Sequence, residues 1–109
     1  MAKNRYTLSR ELHDILGSKN VYYNPPEGQK MNFPCIVYNR TYINDIKADN
    51  IKYLDYTTYK IIVISKSPDH PAIKKILQIP MTRLSASYVK DGFYHDVITL
   101  IQKEVQTNG

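Results

Sequence analysis

At 109 residues, with 42% hydrophobic and 23% charged residues, the chain has the make-up of one folded domain and is too apolar for a disordered one. Its net charge of +5 comes from basic residues scattered from Lys3 to Lys103, which favours polyanions in general but marks no groove. A single cysteine excludes an internal disulfide and a cysteine-built zinc site. No apolar run approaches the roughly 18 residues that span a bilayer, and M-A-K-N-R-Y lacks the apolar stretch of a signal peptide, so cytosolic synthesis without a membrane is expected.

Leu8, Leu12, Ile15 and Leu16 fall on one face of a 3.6-residue period, with Thr7 placed as N-cap and Gly17 placed to end the helix. His13 falls on the polar side of that helix. Asn20 to Tyr23 reads as a short extended segment. It runs into Pro25-Pro26, whose fixed φ angles forbid helix, and Gly28 permits a sharp reversal.

Met31 to Arg40 then reads as a strand. Pro34 cannot donate a ladder hydrogen bond, which puts it at the strand start, a bulge or an edge. Phe33, Cys35 and Val37 alternate with Ile36 and Tyr38, so both faces are apolar and both are expected to be covered. Cys35 reads as a small buried hydrophobe.

The stretch 40–56 is polar and mixed, and reads as a long projecting β-hairpin with Asp49-Asn50 at its tip. Such an arm needs a surface to lie on, and a neighbouring subunit is the natural one. Tyr56 to Ser65 is the strongest strand and is expected at the centre of the sheet. Asp69 is placed to cap a second short helix carrying Ile73, Ile76 and Leu77, with Pro71 in its first turn and Pro80 ending it. Asp91-Gly92 is a strong hairpin signal between strands running from Arg83 to Lys90 and from Phe93 to Gln102. Residues 104–109 are polar and read as a flexible tail. The fold class is therefore α+β: one antiparallel or mixed sheet in a single domain, 1–109, with two short helices packed on it.

The chemistry-bearing residues are few. His95-Asp96 is the one adjacent pair suggestive of acid–base or metal chemistry, but strand neighbours point to opposite faces. A Cys35–His95 thiolate pair needs an accessible cysteine. The phosphate-loop, dinucleotide and nucleophile-elbow motifs are absent, and four glycines leave little material for a phosphate cradle. Ten tyrosines against two phenylalanines and no tryptophan suit surfaces that are wet in one state and buried in another. Tyrosine next to basic residues, as in Tyr38-Asn39-Arg40 and Tyr59-Lys60, leaves a small nucleic-acid-binding module as an alternative.

Five ordered pieces carry a resemblance: Y-x-N-P-P-E-G-x-K-M-x-F-P-C-I-V-Y (Tyr22 to Tyr38), A-D-N-x-x-Y (Ala48 to Tyr53), Y-K-I-I-V-I-x-K-S-P-D-H-P (Tyr59 to Pro71), I-P-M-x-R (Ile79 to Arg83) and Y-H-D-V-I-x-L (Tyr94 to Leu100). Together they resemble a family of small structural proteins of tailed bacteriophages from the head–tail joining and tail genes. The element order is also similar to that of tail-terminator, or tail completion, proteins. The resemblance implies a non-enzymatic virion component that forms a homo-oligomeric ring, a hexamer in that family. Such a ring caps the tail tube protein, docks a head-closure or connector protein, and surrounds a lumen through which genomic DNA can pass. It implies assembly in the host cytoplasm and residence in the neck or tail of the virion, with no catalytic residue, cofactor or metal. Because 109 residues is short for a terminator, another head–tail connector remains the alternative. Tyr42, Tyr53 and Tyr56 are the expected subunit or partner contacts, with Lys47 and Lys52 as rim charges meeting acidic partners.

Overall fold

The computed structural model describes residues 5–46 and 53–106. The expected class is observed: an α+β fold with one mixed five-stranded sheet and two helices on it. The elements are α1 (Arg5–Leu16), β1 (Val21–Tyr23), β2 (Cys35–Ile46), β3 (Tyr53–Ser65), α2 (Pro71–Leu77), β4 (Thr82–Lys90) and β5 (Phe93–Gln106). The spatial order is β1-β2-β3-β5-β4, which puts the β-branched, aromatic β3 in the middle as its composition predicts. β1 pairs with β2 in parallel and the other pairs are antiparallel.

One periodicity builds the core. Tyr59, Ile61 and Val63 alternate along β3 and align with Ile36 and Tyr38 of β2 and with Ile98 and Leu100 of β5. Over this face lie Leu8 and Leu12 of α1 and Ala72, Ile73 and Ile76 of α2. Three tyrosines belong to this layer: the Tyr38 ring lies 4.9 Å from that of Tyr23 and 6.4 Å from that of Tyr59. The Arg5 guanidinium sits 4.3 Å from the Tyr23 ring centre and 4.5 Å from that of Tyr6, closing the edge of the layer by cation–π contact.

Both helix starts differ from expectation. Arg5 and Tyr6 are already helical, so Thr7 lies inside α1 and does not cap it. Its end is as expected, with Gly17 at φ 75° and its N–H donating to the His13 carbonyl at 2.9 Å. In α2 the cap is His70 and not Asp69: His70 Nδ1 accepts the Ala72 N–H at 3.1 Å. The cause is Pro71, which restricts the residue before it to extended backbone, and that is the conformation an N-cap requires. Asp69 takes φ 60° in the turn instead. The buried stripe of α2 is Ala72, Ile73 and Ile76, while Leu77 is exposed.

Pro34 immediately precedes β2 and follows a cis peptide bond from Phe33. Asp91 and Gly92 have φ 53° and 80°, the two-residue type I′ turn that Asp-Gly predicts. The strands flanking 47–52 pair antiparallel out to Ile46 and Leu54, and the Asp49-Asn50 tip lies outside the described residues. β5 runs beside β3 as far as the Tyr53–Gln106 pair, so the arm is three strands wide and residues 104–106 are strand where a tail was expected.

Two substitutions test this account. Ile61→Ala removes a fully buried side chain from the central strand and should cost about 2–5 kcal/mol in urea unfolding. His70→Ala removes one cap and should cost about 1 kcal/mol.

Candidate functional site: an uncovered sheet face and a three-stranded arm

Both helices lie on the same side of the sheet, and among the described residues no helix covers the other. That second face is also apolar at its centre. One aligned row crosses all five strands: Tyr22, Val37, Ile62, Val97 and Ala86. A second row holds Cys35, Ile64, His95 and Tyr88. A third is polar, with Asn39, Lys60, Thr99 and Arg83. The expectation that both faces are covered is therefore met at one end only. There the segment leading into β2 folds back: the Phe33 ring sits 4.3 Å from that of Phe93, and Met31 and Phe33 line an open cleft of about 270 Å³ with Ile64 and His95. The Tyr22 hydroxyl accepts the Asn32 N–H at 3.1 Å and pins this segment. Away from it, Val97 is buried, Val37 and Ile62 are half-buried and Ala86 is exposed.

Antiparallel sheets with a solvated face normally alternate apolar and polar residues. Here β2, β3 and β5 are aliphatic on both sides through their centres. Contiguous apolar surface at an open face is, in general, where proteins make contacts.

The arm continues this surface. β2 bulges at Thr41, whose hydroxyl donates to the Thr58 carbonyl at 3.2 Å, and the pairing resumes at Tyr42–Thr58. Thr57 and Gln102 are buried polar residues at the arm's root, a feature that polarity alone would have placed at the surface. Of the predicted contact residues, the backbone places Tyr42 opposite Thr58, Tyr53 opposite Gln106, and Tyr56 between Asn44 and Lys103. Tyr56 is half-buried. Lys47 and Lys52 lie outside the described residues.

The histidine and cysteine readings resolve clearly. His95 and Asp96 face opposite ways: the imidazole stacks on Tyr88 at 4.8 Å, while Asp96 Oδ1 accepts the Ser87 hydroxyl at 2.7 Å. Cys35 and His95 share a row but have Ile64 between them, two strand spacings or about 10 Å apart, too far for a thiolate pair. Cys35 is fully buried, and burial pushes its thiol up to about 11. Among the described residues, no three metal-ligating side chains converge.

No protein-family model matches this sequence, and no curated protein matches it.

The cysteine gives a pH test. Its thiol titrates near 9 when unfolded and near 11 when folded, so folding favours the protonated form. Its contribution to stability is complete below pH 9 and is lost as pH rises through 11. Wild type should therefore lose stability relative to Cys35→Ala across that interval, measured by urea unfolding at matched pH. A native thiol titration at pH 8 should show labelling only as fast as the protein unfolds.

Proposed function

We propose that this chain is a non-enzymatic structural subunit of a tailed-bacteriophage particle, a tail terminator or tail completion protein that assembles as a homo-oligomeric ring at the head–tail interface. The observation that carries this reading is the uncovered aliphatic sheet face beside a long three-stranded arm. Both are features of a subunit whose folding is finished by its neighbours. The five ordered sequence pieces that resemble phage neck and tail proteins supply the biological setting.

The mechanism is geometric. In a heterologous ring the same two patches meet at every interface, so modest contacts repeat until the ring closes. The arm, with Tyr42, Tyr53 and Tyr56, lies across a neighbour or the tail tube. One rim of the ring ends tube polymerisation and the other offers a docking surface to the head-closure protein, with genomic DNA passing through the lumen. Tyrosine suits such surfaces because its ring gains contact area while its hydroxyl stays satisfied in water before assembly.

Native mass spectrometry and negative-stain microscopy of the purified chain test this, and closed rings are the expected species. Deleting residues 45–52 should leave a folded monomer that does not assemble. Ile101→Glu places a charge on an exposed part of the open face and should do the same. A wild-type monomer that binds single-stranded DNA with steep salt dependence would overturn the ring reading in favour of a nucleic-acid-binding module.

A further inference from the structure

The two edges of the sheet are built differently. β1 is three residues long, half-buried and flanked by α1. β4 is nine residues long, and every residue from Arg83 to Lys90 is exposed. We infer that β4 is a docking strand for an extended, acidic segment of a partner protein, which joins the sheet as a sixth strand. The inference is independent of whether the chain forms a ring.

The backbone identifies the docking window. The type I′ turn at Asp91-Gly92 makes Lys90 and Phe93 a mutually hydrogen-bonded pair. Alternation then makes Tyr88–His95 and Ala86–Val97 hydrogen-bonded pairs, and leaves Val89–Tyr94 and Ser87–Asp96 unbonded to each other. The N–H and C=O of Ser87 and Val89 therefore point away from β5, into solvent. The register shift at Ser85 bounds this window on one side and the turn bounds it on the other.

Natural edges are commonly blunted by proline or by charge within the strand. The stretch from Ala86 to Val89 has neither. Its side chains instead offer apolar contact on alternate faces: Tyr88 is 45% and Val89 61% exposed. The surface is also held in place. Tyr88 stacks against His95 with the rings only 11° from parallel, and the Ser87 hydroxyl is fixed on Asp96. Ordering these groups beforehand lowers the entropic cost of docking.

Charge selects the occupant. β4 carries Arg83 and Lys90 and no carboxylate, and the two residues sit about 20 Å apart along the strand, bracketing the window. From Thr82 to Leu100 the carboxylates are Asp96, whose oxygen takes the Ser87 hydroxyl, and Asp91 in the turn beyond Lys90. A second copy of this chain would bring the same strand and another +5 of charge. Nucleic acid fits poorly because the window presents outward carbonyl oxygens between its N–H groups, and these repel phosphate. An acidic polypeptide strand satisfies donors and acceptors together and places carboxylates over Arg83 and Lys90.

The test uses labelled ten-residue peptides alternating valine with glutamate or valine with lysine, read by fluorescence anisotropy and by amide shifts of the ¹⁵N-labelled protein. The glutamate peptide should bind at least about tenfold tighter, with shifts concentrated from Ser87 to Lys90. Val89→Pro removes one outward N–H without touching the β4–β5 ladder and should abolish those shifts. Arg83→Glu with Lys90→Glu, which leaves the backbone intact, should reverse the peptide preference. Equal binding of the two peptides, shifts confined to other strands, or β4 amides protected instead by self-association or by single-stranded DNA would each overturn the inference.

Discussion

β3 is hydrogen-bonded to a neighbour along both sides, and the rest of the molecule takes its register from it. Its pairing with β5 runs without interruption from Tyr53 to Ser65. Because strand side chains alternate, a slip of one residue would turn Tyr59, Ile61 and Val63 away from the helices and bring Lys60 beneath them. The burial of those three residues against Leu8, Leu12 and Ile76 makes that slip costly. The position of β2, the path of β5 and the seating of both helices follow from this single alignment.

The helices are small for the sheet they serve. Twelve residues of α1 and seven of α2 shield one face of five strands and leave nothing for the other. The returning segment with Met31 and Phe33 caps only one end of that second face. It leaves open clefts beside the apolar centre of that face.

Much of the fold was legible because local chemistry and tertiary context agreed. The Asp-Gly turn, the Gly17 helix end, Pro34 at the start of β2 and the central place of β3 each follow from a residue with one strong conformational preference. The misreadings came where two signals competed. Asp69 is the better capping residue by type, but Pro71 imposed the capping conformation on His70. The two-sided apolar pattern of β2, β3 and β5 predicts coverage on both faces whereas the described helices cover one, because sequence records which residues avoid water and not which face a helix takes. The tyrosines divided in the same way: Tyr38 and Tyr59 are core, while Tyr56 lies on the arm. The β4 edge left only a faint trace, a strand with Leu84, Tyr88 and Val89 and no strong period.

The third strand of the arm alters its mechanics. A two-stranded ribbon twists and flexes readily, whereas a ribbon braced by β5 along its length behaves as a cantilever. From Tyr42 to Ile46 the described part of it reaches about 13 Å beyond the bulge. Because β3 and β5 run from the core into the arm without a break, the arm's direction is fixed by the same register that seats the helices.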